Sequence, residues 1–531
     1  MGKGQKATTA LAAIALALAL CAANTLLGPL NQDEGWYLLA ARNFARGLHP
    51  YRDFFFTQTP LMPAFYGLLE PLWAHAGLLG GRILTAALGI AASLAASAAA
   101  AINVRRGFRF AAALTAFLLL QCNIVHSYFT TIPKTYALAS LFISLGTLCL
   151  SCSLLNPAAS DNGRNGARHG RPAPWRAAGA RAPLALAAGA FMAAAAGTRL
   201  SLGAMLPVVG LALLAIRRRH PLLWLAFGIG GLAVLAAIFF GFIADCPSQF
   251  SFANFFHGGR SSGGAILALG SLARLARNYM PAALAAGLAA FLRIRHGSHA
   301  TSTPLPWIAT AAFAATFVVH ITAPFPYDDY QTPLMPLAAI AISAFLWDSP
   351  HAPGQSRTLP ALVALAALFA ATSPFTESWV VVRKDRFWVE TKSRPDIMTL
   401  RDAAREISAI VPQGAAILTQ DAYLAVEAGR DVPHGFEMGP FGYFAALGTD
   451  EARKFNVLNH DLALEAIKSG KFPAAALSGY SFAMSAPELA KDDSTRAEME
   501  REVSRHYDLV KTVPDFGQEH TTLTIWALKA Q

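Results

Sequence analysis

Charge is scarce in this 531-residue chain: Asp, Glu, Lys and Arg make up 14% of it, 54% is hydrophobic, and the mean hydropathy is +0.39. Soluble globular chains carry about 25% charged residues, so the composition speaks against an ordinary soluble enzyme. Acids are the scarcest in the first part, where residues 1–375 hold nine Asp/Glu beside 25 Lys/Arg, while residues 376–531 hold 23 acids and 18 bases. The net charge of +11 therefore comes from bases between hydrophobic runs and is not the footprint of a nucleic-acid partner. Cysteine is also rare. Of Cys21, Cys122, Cys149, Cys152 and Cys246, four lie inside apolar runs and none lies in the C-terminal region, which excludes a disulfide framework or a zinc cluster as the organising principle.

Long apolar runs are what the chain does have. Stretches near 8–28, 82–102, 110–126, 135–155, 183–198, 201–216, 221–243, 279–294, 305–322, 331–347 and 359–375 are each long enough to read as membrane-spanning helices, about eleven in all. The first is longer than a signal-peptide core and is read as retained. With the N-terminus inside, alternate connections collect Lys3/Lys6, Arg105/Arg106/Arg109, the Arg164–Arg181 loop, Arg217–Arg219, Arg293/Arg295 and Arg357, the positive-inside pattern. The expected protein is a multi-pass inner (plasma) membrane protein: residues 1–375 form an α-helical polytopic domain with a first exterior loop at 29–81. Residues 376–531 form a soluble α/β domain on the exterior, periplasmic side. The Asn156–Ala182 loop reads as a flexible linker.

The same sidedness sorts the nine acids. Asp33, Glu34, Asp53, Glu70, Asp245, Asp328 and Asp329 fall outside, leaving Asp161 and Asp348 inside. Carboxylates near hydrocarbon are costly and persist where they face a cavity or site, so function is sought at the exterior membrane surface. Glu70, Asp161 and Asp348 read as solvated loop residues.

The first exterior loop is the most informative segment. Residues Asn31 to Gly47 begin with capping-type polar residues and end in glycine, which predicts a helix. Trp36, Tyr37, Leu39, Ala40 and Phe44 can lie along the interface while Arg42 and Arg46 reach water or phosphate. The segment His49 to Pro60 then returns to the membrane with an aromatic and polar mixture suited to a lipid-linked ligand. Asp33 has two natural uses here, as the helix cap or as a carboxylate taking a proton from an attacking hydroxyl.

The Asp33-Glu34 pair just after the first span, the Tyr37-x-x-x-Ala41-Arg42 helix, the Gly47-x-x-Pro50-Tyr51-x-Asp53 turn and the polar-x-Pro60-Leu61 re-entry together resemble the first loop of GT-C membrane glycosyltransferases. The resemblance is to the protein O-mannosyltransferase and aminoarabinose-transferase group, and about eleven spans followed by an exterior α/β domain are similar to its bacterial members. It implies a polyprenyl-phosphate sugar as donor, a hydroxyl acceptor, inverting transfer outside the membrane, and a catalytic role for Asp33 with Glu34 as its neighbour. Two positions depart from the pattern: Thr57-Gln58-Thr59-Pro60 stands where the aminoarabinose transferases usually carry Glu-Lys-Pro, and Trp36 where they often carry arginine. The donor phosphate must therefore meet other cations.

Lys134, at the exterior start of the fourth span, is the first choice, and Arg199, at the exterior turn of Gly197 to Ser201, is the second. Either can neutralise a leaving phosphate. Arg199 can equally contact lipid headgroups. Tyr37, Arg42, Asp53 and Gln58, together with Tyr330 and Gln331, whose Pro-rich surroundings resemble the family's late exterior loop, are the candidate substrate-contacting residues. Asp328 and Asp329 have no third ligand in the sequence, so no metal or other cofactor is expected, and a solvated turn or a sugar-hydroxyl contact is preferred for them.

Beyond about Trp388 helix and strand alternate: a helix at Asp396–Ile410, a strand at 415–419, a short helix at 423–428, a strand at 474–477, a helix at 497–507 and a closing strand at 521–527. No phosphate loop or nucleophile motif occurs there. A lipid-linked saccharide transporter is the rival reading of the whole chain, weakened by the lack of an internal repeat.

Overall fold

The computed structural model describes residues 1–155, 181–216, 221–256, 265–296, 301–323, 326–349, 352–373, 392–445, 447–479, 481 and 493–530. The predicted 156–182 linker, the Arg217–Arg219 cluster and the start of the C-terminal region at 376–391 lie outside the described residues, except for its end at 181–182.

Each of the eleven apolar stretches carries a helix. In chain order these are α1 (Lys3–Leu27), α4 (Gly77–Ile102), α5 (Arg109–Gln121), α6 (Thr135–Leu154), α7 (Ala182–Thr198), α8 (Met205–Ile216), α9 (Pro221–Ile238), α11 (Met280–Arg295), α12 (Leu305–Ile321), α13 (Met335–Trp347) and α14 (Gln355–Ala371). Between them lie α2 (Gln32–Ala45), α3 (Leu61–Leu68) and α10 (Ala265–Asn278). Among the described residues five helical segments are long and apolar enough to cross a membrane and four more are shorter apolar helices. Leucines on their outer faces, such as Leu11, Leu94, Leu211 and Leu232, are exposed, as lipid-facing side chains are.

Small residues let these helices approach closely. Gly189 in α7 meets Phe227 of α9 so tightly that an added Cβ would fall 1.9 Å from its carbonyl oxygen, and Gly230 meets Leu186 in the same way at 2.0 Å. The charges sort to opposite ends. At one end Asn103 bonds Ser151 and Thr303, and Asp348 accepts from the Ser302 hydroxyl at 2.7 Å near Arg105. At the other end α1 hands over to α2, and the C-terminal domain packs there.

That domain contains α15 (Asp396–Ile410), α16 (Ala422–Glu427), α17 (His460–Lys468) and α18 (Asp493–His506), with a three-stranded antiparallel sheet in the order β1 (Ala474–Leu477), β3 (Thr521–Leu528), β2 (Tyr507–Phe516). The predicted strand at 415–419 forms only single bridges, Ala416 with Asp431 on one side and Leu418 with Ala475 on the other. Strand β2 was not expected: it is an edge strand with Tyr507 and Phe516 buried and most residues between them exposed, so it lacks the apolar alternation that marks a strand.

Helix α2 differs most from expectation. Rather than lying on the membrane surface, it is buried between the bundle and the C-terminal domain, with 11 of its residues buried. Gly35 makes this possible, since a Cβ there would lie 2.0 Å from the Tyr423 backbone nitrogen of α16. Arg42 donates to the carbonyls of Arg430 and Val426 at 2.9 and 3.0 Å, and Arg46 pairs with Asp431 at 2.7 Å. These arginines dock a domain instead of reaching phosphate.

Candidate active site

The joint between α1 and α2 places Asp33, the candidate carboxylate. Asn31 caps α2, its side chain accepting from the Asp33 N–H at 3.1 Å, while Glu34 Oε1 accepts from the Asn31 N–H at 2.9 Å. This reciprocal cap leaves Asp33 unneeded for capping. The Glu34 carboxylate is fully buried against Arg82 of α4, receiving both Nε and Nη2 at 2.7 Å. The same guanidinium donates to the carbonyls of Gly28 and Pro29 at 3.1 and 2.9 Å, closing the orphaned end of α1.

Asp33, freed from both duties, faces a polar cavity of about 690 Å³. Lys134 Nζ lies 2.6 Å from Asp33 Oδ2 and 2.9 Å from Asp329 Oδ2, so one ammonium bridges two carboxylates. Tyr136 donates to the same Asp329 oxygen at 2.9 Å. Arg199 lies 4.0 Å over the ring of Tyr330 and 5.3 Å over that of Tyr136, a stacked guanidinium at the cavity wall. These groups come from four separated parts of the chain: the start of α2, the start of α6, the end of α7 and the segment before α13. Tyr37 also lines the cavity, and burial, then the charge of Asp33, pushes its phenol above the ordinary range, so it stays a neutral hydroxyl.

Of the residues singled out from sequence, Asp33, Lys134, Arg199, Tyr37, Gln58 and Tyr330 line this cavity together. Four stand elsewhere. Glu34 is sealed on Arg82, and Arg42 is spent on the carbonyls of the C-terminal domain. Asp53 accepts from the His49 N–H at 2.7 Å and pairs with Arg52, whose hydrogen bonds hold its carboxyl below the usual range. Gln331 is buried and lines a second, apolar cavity of about 670 Å³ between α10, α11, α12 and α13.

Structural comparison decides the architecture. Crystal structures of ArnT from Cupriavidus metallidurans, in the apo state and bound to undecaprenyl phosphate, superpose with TM-scores of 0.64 and 0.63, each at 14% identity and covering 97% of both chains. This chain has the GT-C fold. No family model matches the sequence, and no curated protein matches it. The resemblance read from the first loop thus extends, as a fold, over the full GT-C chain.

Sequence reasoning missed several residues of this GT-C cavity. The sequence favours a solvated turn or a sugar contact for Asp329, yet its side chain is 13% exposed and shares Lys134 with Asp33. Arg274 and Asn278 of α10 both engage Asp328, at 3.2 and 2.7 Å, on another wall. Phe441 and Gln518 reach the cavity from the C-terminal domain. Outside the cavity, Arg82 carries a signal, a lone arginine at the start of an apolar run, whereas nothing in the sequence points to Gln518. Among the described residues no cluster of three or more His, Cys, Asp or Glu is placed to hold a metal ion.

Proposed function

We propose that this protein transfers a sugar from a polyprenyl-phosphate donor to a hydroxyl acceptor, with inversion, at the exterior face of the bacterial inner membrane. The observation that carries the reading is the Asp33–Lys134–Asp329 bridge with Arg199 beside it: two carboxylates and two cations gathered at one end of an apolar helix bundle. Asp33 takes the proton of the acceptor hydroxyl as its oxygen bonds the anomeric carbon. The bond from that carbon to the phosphate oxygen breaks, and its electron pair leaves on the phosphate. Lys134 and Arg199 neutralise that charge. An ammonium has three N–H donors; Lys134 donates to Asp329 and pairs with Asp33, which leaves it donor capacity for a phosphate oxygen.

The fold shared with ArnT, one of whose structures holds undecaprenyl phosphate, supports this choice of donor lipid and weighs against the transport reading. The apolar cavity shares α10 with the polar one, Leu275 and Ala276 facing the former and Arg274 and Asn278 the latter, which suits a prenyl chain continuous with a phosphate at Lys134. Bases Lys3, Lys6, Arg105, Arg106 and Arg109 at the opposite end favour a cytoplasmic placement of that end, with the cavity and the C-terminal domain outside.

The test is lipid analysis of cells carrying the wild type, Asp33→Asn or a deletion, with membrane abundance checked by blot. A variant present in the membrane that accumulates a polyprenyl-phosphate sugar as the deletion does supports the assignment. Wild-type behaviour of Asp33→Asn sinks it.

A further inference from the structure

The cation wall and Asp33 leave another wall of the polar cavity without a role, and that wall is made of carboxamides. Gln32, in the first turn of α2, is 3% exposed and lines the cavity, and neither its Oε1 nor its Nε2 has a hydrogen-bond partner among the described residues. Buried amides are nearly always bonded, because leaving water without a replacement partner is unfavourable, so an unpaired one beside a cavity points to something that binds there.

A second carboxamide is delivered to the same place by the C-terminal domain. Gln518 sits at the tip of the β2–β3 hairpin and accepts the Gln32 backbone N–H at 2.8 Å. The tip is a shaped element: Asp515, Gly517 and His520 all take left-handed backbone angles, with φ of 53°, 77° and 52°, and His520 Nδ1 closes on Asp515 Oδ1 at 2.8 Å. Gly517 packs on the Tyr423 hydroxyl, where a Cβ would come within 2.4 Å. Gln518 Nε2 also makes a long contact, 3.4 Å, to Glu519 Oε1 at the exposed tip, while the charged groups on the other walls are committed: Arg274, with Asn278, holds Asp328, and Lys134 holds Asp33 and Asp329.

The chemistry of the wall follows. A carboxamide offers a donor and an acceptor with no net charge, which matches a hydroxyl that both gives and takes a hydrogen bond. It suits neither a phosphate, which wants cations, nor an ammonium, which wants carboxylates. Along α2 the unpaired amide directly precedes the carboxylate that touches Lys134, giving the order carboxamide, carboxylate, cation. We propose that Gln32 and Gln518 form a subsite for the hydroxyls of an uncharged glycosyl ring, and so select neutral sugars over amino sugars. The inference rests on the transfer reading above. The ring belongs either to the donor or to a sugar acceptor, and the experiment separates the two.

Full-length protein in lipid nanodiscs is titrated with undecaprenyl phosphate and with the polyprenyl-phosphate sugar recovered from cells lacking the protein, using wild type, Gln32→Leu and Gln518→Leu. The second variant lies at a partly exposed hairpin tip, so it remains informative if the first folds poorly. A roughly tenfold loss of affinity for the sugar-bearing lipid, with undecaprenyl phosphate unchanged, places the donor ring in the subsite. Unchanged affinity for both lipids with an acceptor KM raised about tenfold places the acceptor ring there. The proposal is overturned if both affinities and the acceptor KM stay within about twofold of wild type, or if both lipids weaken equally, which marks a disturbed helix start. Wild-type protein that binds neither lipid overturns the transfer reading itself, an outcome distinct from loss confined to the variants.

Discussion

Lys134 Nζ lies 2.6 Å from Asp33 Oδ2, joining residues 101 positions apart at the mouth of one cavity. The contact ties the proposed base to the proposed phosphate cation. Replacing Lys134 with Met removes the cation that bridges Asp33 and Asp329 and leaves Arg199 as the nearby positive charge. Loss of a charged hydrogen bond of this kind costs about 1.5–3 kcal/mol, so undecaprenyl phosphate affinity should fall roughly 10- to 100-fold. Titration in nanodiscs measures it, and unchanged affinity would remove Lys134 from the phosphate site.

Arg82 and Glu34 form a fully buried ion pair at the α1–α2 joint. Removing one partner strands the other charge, which costs about 3–5 kcal/mol. Arg82→Met and Glu34→Leu should each lower the thermal midpoint in detergent sharply, while the double variant recovers much of the loss. Single variants as stable as wild type would show that the pair does not hold the joint.

Gly35 has no room for a methyl group against α16, where the nearest atom would be 2.0 Å away. Gly35→Ala must push α2 off the C-terminal domain, an overpacking cost of at least about 1–3 kcal/mol. Faster proteolytic release of the C-terminal domain is the expected signature, and a wild-type digestion pattern would argue against tight docking.

Asp421 in the C-terminal domain is fully buried, and burial pushes its carboxyl up to about 6 in spite of hydrogen bonds from Ser478 and Tyr423. A folded-state value above the unfolded one means that the proton favours folding. This stabilisation is complete below the ordinary carboxylate range and is lost as pH rises through about 6. Asp421→Asn should therefore be more stable than wild type at pH 7.5, by on the order of 2 kcal/mol, with the difference vanishing near pH 4. Thermal midpoints of both proteins across that range decide it.

The sequence by itself determined the class of the protein. Apolar runs of spanning length can only be satisfied as helices in a bilayer, and scarce charges near such runs mark where to look for a site, so the helices were legible and Asp33, Lys134 and Arg199 stood out as candidates, Asp33 through the resemblance of its loop. Helix α15 was legible to its ends because its amphipathic period is long and uninterrupted. Tertiary structure alone decided which polar residues share a cavity. Asp33 and Glu34 are neighbours in sequence, but successive helix residues point about 100° apart, so one faces the cavity and the other is sealed on Arg82. The role of Arg42 in docking, the sharing of Lys134 by Asp329, and the arrival of Gln518 some 486 residues from Gln32 depend on long-range packing that no local pattern encodes.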